Sequence, residues 1–385
     1  MMEPTRVSNL VPGGEAIATC SDGKKLFLWN ALPGELVEYE ITRKKTSFVH
    51  AIATNIIEPS PHRIEPRDTC HLSTSPWQIM NYDYERKQKS LLIQEIFRQQ
   101  GIDITLPKVH DTDTDFQYRN KMEYSLYWSN ATQKIYPAFR ARGTHRKVPI
   151  TQSSIERPEL WAHAIEVIDN LNAHGEQARK YQSLLLRCNQ SGHVEGGLLE
   201  NYKPHPIFPL LTDTILSHEY SYSPNGFFQI NLPVYELALN EIAKHISTDN
   251  VLDLYAGVGT IGLSVARNKN LTLVEVNGSA FKELENNCKD TGANPILAKS
   301  EEILDHIQPD QTIIVDPPRA GCDKRLIAKL AETKPEKVIY LSCNPITQAR
   351  DITPLLEHYS IDHMSTYNFF PRTPHIENLV ILTRK

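Results

Sequence analysis

A regular alternation of apolar strands and amphipathic helices after residue 217 constrains the fold of this chain more than any other feature. Four apolar segments, NVLDLY, LTLVEV, TIIVD and KVIYLSC, alternate with helical stretches such as SAFKELENNCKD and KRLIAKLAE. This alternation is typical of βαβ units in a doubly wound parallel sheet. We therefore predict an α/β domain with a Rossmann-like sheet over residues 218–385.

The first 217 residues follow other patterns. Four segments, GEAIATC, KLFLWN, ELVEYEIT and FVHAIAT, are separated by turns and predict a small OB-like β-barrel over residues 1–62. The proline-rich stretch EPSPHRIEP (58–66) has the composition of a linker. Residues 63–217 combine a helix, QKSLLIQEIFRQQG, with strands MEYSLYW and SLLLRC, and predict an α+β central domain. A length of 385 residues suits two or three such domains.

A glycine turn joins the first predicted strand of the last domain to a helix. In VLDLYAGVGTIG, Gly257 and Gly259 let the backbone approach a ligand closely. Asp253 stands where a carboxylate can reach the amino acid end of S-adenosylmethionine (SAM), and Glu275 ends the next strand, where it can accept from ribose hydroxyls. This pair favours SAM over NAD, although GVGTIG also satisfies the dinucleotide pattern. NAD binding and a turn that binds nothing stay open as alternatives.

Two more motifs follow predicted strands directly. Asp316-Pro-Pro-Arg319 comes after TIIV, and Ser342-Cys343-Asn344-Pro345 comes after KVIYL. Because the carboxyl ends of strands line the ligand crevice of an open α/β sheet, we expect both motifs there. Asp316 would position a substrate or cofactor, unless it is simply a solvated acid in a loop.

Cys343 is a candidate nucleophile. A lone cysteine is more often buried and inert, but this one follows two motifs of a cofactor crevice, where a thiolate would serve covalent catalysis. Glu377, in FPRTPHIE before the final strand NLVILT, is a candidate general base, and His375 is a second choice. Taken alone, a glutamate at that place is more often merely exposed to solvent.

These four motifs, in this order, resemble the RNA 5-methyluridine methyltransferase family of the RumA/TrmA type. The segment PNGFFQIN (224–231) resembles the family segment that leads into the SAM domain, which implies that Gln229 lies at the active site. Within the glycine turn, the resemblance implies that Tyr255 and Thr260 join the two glycines as neighbours of SAM. Residues 218–385 would then form a class I SAM-dependent methyltransferase domain.

The resemblance extends to the front of the chain. FQYRNK (116–121) and FRARGTHRK (139–147) resemble the RNA-contacting central domain of the family, and the barrel is similar to a TRAM domain. The implied reaction is methylation of C5 of a uridine in RNA, in which Cys343 attacks C6 and Glu377 removes the C5 proton, while Asp316 and Gln229 hold base and cofactor in line. A TRAM-like barrel favours 23S ribosomal RNA over transfer RNA. Methylation of cytosine C5 or of an exocyclic amine, and a non-catalytic RNA-binding protein, stay open.

One departure from the family concerns an iron–sulfur cluster that many members hold with a C-x5-C-x2-C run and a distant fourth cysteine. Here Thr74 and Trp77 stand where the paired cysteines belong, Cys70 is displaced from the first position, and Ser153 is near the fourth. A cluster needs about four thiolate ligands. We therefore predict that this chain binds no cluster and no other metal at its active site.

The remaining expectations concern partners and location. The net charge of −5 gives no overall sign of a nucleic-acid partner, but RNA binding needs only a local basic surface. Two basic clusters with aromatic neighbours predict such a surface: Arg43, Lys44 and Lys45 in a turn of the barrel, and Arg140, Arg142, Arg146 and Lys147 near Tyr118, Tyr124, Tyr127 and Trp128. The sequence has no apolar run of about 18 residues and no signal-peptide core, so we expect a cytoplasmic monomer.

Overall fold

The computed structural model describes residues 3–385 and begins with a closed six-stranded barrel. Its strands are β1 (Thr5–Arg6), β2 (Asn9–Leu10), β3 (Ala16–Thr19), β4 (Lys25–Trp29), β5 (Leu36–Lys44) and β6 (Phe48–Glu58), in the order β1-β5-β6-β4-β3-β2. The sheet closes because the segment 5–10 pairs with β5 through β1 and with β3 through β2. The predicted N-terminal β-barrel is confirmed.

Two local predictions for the barrel are wrong. Arg43 and Lys44 are not in a turn, because β5 continues through them in a long hairpin with β6, and the tight turn starts only at Lys45. The segment 58–66 is not a free linker, since Arg63 lies 2.6 Å from the fully buried Glu35 carboxylate. That ion pair fixes the segment against the barrel.

The next part of the chain forms a second sheet. Its elements are α1 (His71–Thr74), α2 (Tyr82–Gln99), β7 (Val109–His110), β8 (Lys121–Ser129), β9 (Lys134–Arg140), β10 (Lys147–Pro149), α3 (Pro158–Ala173), β11 (Tyr181–Cys188), β12 (Val194–Glu200) and β13 (Leu211–Ile215). Five strands pair in the order β10-β9-β8-β11-β12, and α3 packs on this sheet. The α2 helix begins earlier than its amphipathic core because the Asn81 side chain caps it, accepting from the Tyr84 amide at 2.9 Å.

The last part is an α/β sheet. Its elements are β14 (His218–Tyr222), α4 (Leu232–Lys244), β15 (Asn250–Leu254), α5 (Thr260–Val265), β16 (Asn270–Glu275), α6 (Gly278–Asn287), β17 (Asn294–Leu297), β18 (Gln311–Val315), α7 (Lys324–Thr333), β19 (Lys337–Ser342), α8 (Pro345–Ile352), β20 (Tyr359–Tyr367) and β21 (Glu377–Arg384). The sheet order is β17-β16-β15-β18-β19-β21-β20-β7, and β14 lies outside this sheet, paired with β13 in a separate two-stranded sheet. Strands β15 to β19 are parallel, and β21 runs antiparallel between β19 and β20. The predicted Rossmann-like sheet is confirmed.

The strand order reverses between β15 and β18, where an open α/β sheet forms its ligand crevice. Two elements from the predicted central domain contribute to this sheet: β7 pairs with β20, and α2 packs on α8. The domain boundaries at 62/63 and 217/218 stay predictions. Within residues 3–385, none of the helices combines the length and apolar character that a membrane span requires.

Candidate active site

Cys343 and Glu377 lie side by side at the carboxyl edge of the sheet. Cys343 directly follows β19, and Glu377 is the first residue of β21. The antiparallel register pairs Ser342 with Asn378, so Cys343 and Glu377 occupy the next position of the same strand pair. Residues at such opposite positions have Cα atoms about 4.5–5.5 Å apart. The structure thus brings the predicted nucleophile and the predicted base together.

A buried polar network holds this register. The Gln348 side-chain amide, on α8, donates to the carbonyl oxygens of Tyr340 (2.8 Å) and Asn378 (3.0 Å). The Asn378 amide donates back to the Gln348 side chain at 2.8 Å, and the Thr366 hydroxyl donates to Asn378 at 3.0 Å. A fully satisfied buried network favours one arrangement. It therefore fixes β19, β20, β21 and α8 relative to one another.

The residues after Cys343 start a helix and tie two motifs together. Asn344 caps α8 by accepting from the Ile346 amide at 3.3 Å, and Pro345 occupies the first helical turn. The Asn344 side chain also donates to the Arg319 carbonyl at 2.8 Å, which connects the SCNP motif to the DPPR loop. The positive end of the α8 dipole lies next to Cys343 and favours a thiolate there.

Charges around Cys343 act in opposite directions. Burial raises the pKa of the Cys343 thiol to about 12, and the carboxylates of Glu377 and Asp316 add to this effect, whereas the Arg319 guanidinium opposes it. Burial, with a contribution from Asp316, raises the pKa of Glu377 well above its ordinary value. Burial also raises the pKa of Asp316 to about 7. Glu377 and Asp316 therefore both hold a proton more strongly than an exposed carboxyl group does.

Arg319 is a further candidate site residue, which the sequence motifs did not single out. Its Nη2 donates to His375 Nδ1 at 3.3 Å, and its charge lowers the pKa values of Cys343 and Glu377. Burial, followed by the Arg319 charge, lowers the pKa of His375 to about 4, so the imidazole is neutral and accepts this hydrogen bond. The available signal was the arginine of DPPR, a cation placed by its motif at the same crevice as the cysteine.

At the predicted cofactor site, Glu275 is hydrogen-bonded to the glycine turn. Its carboxylate accepts from the Gly257 amide at 2.8 Å and from the Asn277 amide at 2.6 Å. Gly257 and Gly259 have φ values of 59° and 90°, and Tyr255, just before them, has a φ of 63°. A Cβ on Gly259 would stand 2.7 Å from Leu284, so the turn packs tightly against α6. Left-handed backbone of this kind exposes amide groups to a ligand.

Asp253 is buried beneath this turn. One carboxylate oxygen accepts from the Gly262 amide at 2.8 Å, while the other has no hydrogen-bond partner among residues 3–385. Burial raises the pKa of Asp253 to about 8. The direct partner of Asp253 is therefore the start of α5, and its second oxygen has no hydrogen-bond partner among residues 3–385 and is available to a ligand group. This unpaired polar oxygen, together with Glu275, fits a site for SAM.

The other predicted cofactor residues are Thr260, Gln229 and Tyr255, and each is held by different contacts. Thr260 is the buried first residue of α5. Gln229 is buried, and its carbonyl accepts from the Asn120 side chain at 3.1 Å, so the second sheet holds its backbone in place. The Tyr255 side chain lies beside Ser300, in the loop after β17.

The loop that carries Arg372 and His375 is held by α2. A buried ion pair joins Lys89 and Glu85 at 3.0 Å. Lys89 donates to the carbonyl of Phe370 at 3.1 Å, and Glu85 accepts from the Arg372 amide at 3.1 Å. Because both charges are buried and fully partnered, they hold a single loop arrangement. A helix that is distant in sequence thus positions the approach to Glu377.

The positions expected for iron–sulfur ligands do not fit a cluster. The Thr74 hydroxyl contacts Ser75, the Trp77 indole donates to the barrel carbonyl of Gly14 at 3.1 Å, and the Ser153 hydroxyl donates to Glu156. Burial raises the pKa of the Cys70 thiol to about 12, which opposes the thiolate that iron needs. Within residues 3–385, no cysteine belongs to a group of three or more potential metal ligands.

The predicted aromatic platform for RNA is partly wrong. Tyr118 and Tyr124 are buried, because they lie on inward-facing positions of their segments, and only Trp128 is well exposed, at 40%. Arg142 is also engaged, since its guanidinium lies over the Trp29 ring at 4.0 Å and donates to the Leu72 carbonyl in α1. Arg140 stays exposed on this face.

Comparisons with known proteins agree with this architecture. Residues 301–385 match the sequence model of the tRNA (Uracil-5-)-methyltransferase family, and residues 235–333 match that of the methyltransferase small domain. An uncharacterized RNA methyltransferase of Enterococcus faecalis is 27% identical, over 94% of this chain and 93% of its own. One of Lactobacillus johnsonii is 28% identical, over 94% of each chain.

A solved structure has the same fold over the whole chain. The Pyrococcus abyssi tRNA (uracil-54, C5)-methyltransferase, determined in complex with S-adenosyl-L-homocysteine, matches with a TM-score of 0.79. The match covers 99% of both chains at 22% identity.

Proposed function

We propose that this chain, a member of the tRNA (uracil-5-)-methyltransferase family of SAM-dependent RNA methyltransferases, methylates C5 of a uridine in RNA. The observation that carries the proposal is the adjacency of Cys343 and Glu377 at the carboxyl edge of the parallel strands. A nucleophile and a base on one face of a pocket are what substitution at a pyrimidine C5 requires. Transfer to an exocyclic amine needs neither a thiolate nor this pairing.

The chain's own residues divide the work of the reaction. The Cys343 thiolate adds to C6 of the uracil, which makes C5 nucleophilic. Arg319 and the N-terminus of α8 stabilise the thiolate before attack. SAM, when bound, supplies the electrophilic methyl group. Glu377 then takes the C5 proton, and the C6–S bond breaks to return the thiolate.

The raised pKa of Glu377 suits a base. A carboxylate with a high pKa holds a proton more strongly, and burial and Asp316 both raise this pKa. Asp316, at the end of the neighbouring strand, and Gln229 would together hold the uracil and the cofactor in line. The target base has to leave its stack to reach Cys343.

Either ribosomal or transfer RNA fits the proposed reaction. The barrel favours 23S ribosomal RNA by resemblance, but the Pyrococcus abyssi tRNA enzyme matches this chain over 99% of both lengths, so that architecture also occurs in a tRNA enzyme. We therefore propose a uridine in a structured RNA as the target and treat the two RNA classes as separate arms of one assay.

The test uses purified full-length protein, labelled SAM, and RNA transcripts without modifications. Transfer RNA and 23S ribosomal RNA are incubated separately, and their nucleosides are identified by mass spectrometry. We expect 5-methyluridine in one of the two RNAs and none with the Cys343→Ala variant. A product of 5-methylcytidine or a methylated exocyclic amine would refute uridine C5 as the target.

A further inference from the structure

Three side chains that could bind a metal ion lie together at the C-terminal end of α4, outside the active site. Glu241 lies near the C-terminal end of α4, His245 caps that end, and His363 lies in β20. Their ligand atoms all lie within 4.8 Å of one another. Among residues 3–385 this is the one group of three or more histidine, cysteine or acidic side chains so arranged.

The distances match the edges of a metal tetrahedron. Glu241 Oε1 lies 3.2 Å from His245 Nε2 and 3.7 Å from His363 Nε2. With metal–ligand distances of about 2.0–2.2 Å, ligand atoms of a tetrahedral zinc site are about 3.3 Å apart. The two measured edges bracket that value, and the third edge, between the two imidazoles, is within 4.8 Å, so side-chain rotations can bring all three atoms onto one ion.

The backbone presents these ligands from two rigid elements. Glu241 and His245 are four residues apart and share one face of the helix end. In β20 the register with β21 shifts between Ile361 and His363, a bulge that interrupts the strand alternation just before the histidine. Bulges re-aim side chains and are enriched near functional sites. Here the bulge precedes the residue that completes the group.

Neighbouring side chains orient the three ligands. Lys244 Nζ binds the other Glu241 oxygen, Oε2, at 2.7 Å, which orients the carboxylate and leaves Oε1 toward the histidines. The His363 Nε2 atom contacts the Ser365 hydroxyl at 3.0 Å, a hydrogen bond that metal binding would exchange for coordination. The three ligand side chains are 20–30% exposed, so water can fill a fourth position.

We propose that Glu241, His245 and His363 bind a divalent cation of the zinc class. Two imidazoles and one carboxylate are a donor set that zinc accepts, whereas magnesium and calcium prefer oxygen donors alone. The site joins α4 to β20. The N-terminal end of α4 follows Gln229 and the helix is about 20 Å long, so the ion lies far from the reacting atoms. Its role is structural, because it holds α4 and β20 together.

The first test measures binding with the metal alone. Full-length protein without a histidine tag is titrated with Co²⁺, a spectroscopic substitute for zinc, and Zn²⁺ then competes for the site. We expect one equivalent with visible absorption typical of tetrahedral cobalt and without the strong sulfur-to-metal band that the cysteines would give. A sulfur band, or no saturable binding, would overturn the proposal.

Matched variants assign the site. His363→Gln and His245→Gln should each weaken binding by about tenfold or more, since even outer contacts cost that much at metal sites. The control is His193→Gln, because His193 also faces a glutamate, Glu195, at 2.9 Å but belongs to no group of three potential ligands among residues 3–385. Its affinity should equal that of the wild type. Unchanged affinity in both site variants would overturn the assignment.

A second measurement checks that the variants fold and that the bound ion stabilises the protein. Saturating Zn²⁺ should raise the Tm of the wild type and of His193→Gln but not of His363→Gln. All three proteins should have the same circular dichroism and the same methyl transfer without added metal, because none of these residues is at the active site. An equal Tm increase in His363→Gln would place the ion elsewhere and refute the proposal.

Discussion

Replacing Asp253 with asparagine should remove a pH-dependent loss of stability. Asp253 is fully buried, and burial raises its pKa from an ordinary 3.8 to about 8. Between these values the folded protein keeps the proton that the unfolded chain releases, so stability falls as pH rises. Each pH unit costs about 1.4 kcal/mol. From pH 5 to pH 8 the wild type should therefore lose about 4 kcal/mol through this group alone.

The Asp253→Asn variant keeps the acceptor for the Gly262 amide but cannot ionise. Its stability relative to the wild type should thus increase between pH 5 and pH 8 by about 4 kcal/mol. The assay is thermal unfolding without SAM at several pH values, followed in the far-ultraviolet circular dichroism. Asp169→Asn, on the exposed face of α3, is the matched control and should follow the wild type. Parallel pH curves for wild type and Asp253→Asn would refute the buried-carboxyl argument.

Three further predictions concern the crevice. Cys343→Ala should abolish methyl transfer while the affinity for SAM, measured by calorimetry, stays within a few-fold; substantial residual transfer would contradict covalent catalysis. Arg319→Gln should raise the pKa of the Cys343 thiol and slow its alkylation by iodoacetamide, by roughly tenfold for each unit of pKa. The alkylation rate of Cys20 in the same protein is the internal reference. An unchanged rate at Cys343 would contradict stabilisation of the thiolate by the guanidinium. Because the pKa of Asp316 is raised to about 7, the affinity for the positively charged SAM should increase from pH 6 to pH 8. This increase should be smaller in Asp316→Asn, where only Asp253, with a pKa of about 8, still ionises in that range; an equal pH dependence in the variant would remove Asp316 from the cofactor site.

The sequence predicted those features that local patterns determine. The strand ends that precede Asp316 and Cys343, the glycine turn and the barrel strands all follow from apolar runs with turn residues between them. These patterns also placed both motifs at the same edge, because the carboxyl ends of parallel strands meet there.

Features that depend on tertiary pairing could not be predicted in this way. The adjacency of Cys343 and Glu377 needs β21 to insert antiparallel beside β19, which no local pattern of β21 specifies. Likewise, the contact of Arg319 with His375 joins two loops. Tyr118 shows how a local pattern can mislead. It lies near basic residues in the sequence and was expected on the RNA-binding surface, but it is buried and its hydroxyl donates to the Pro371 carbonyl.

The most direct measurement of the central claim is a denaturing gel of Glu377→Gln incubated with SAM and the RNA substrate. Without its base, the variant should add Cys343 to C6 and transfer the methyl group but fail to release the RNA, so a covalent protein–RNA band should accumulate. The double variant Cys343→Ala with Glu377→Gln should give no such band. Normal turnover by Glu377→Gln without an adduct, or a band that persists in the double variant, would contradict the assignment of Cys343 as nucleophile and Glu377 as base.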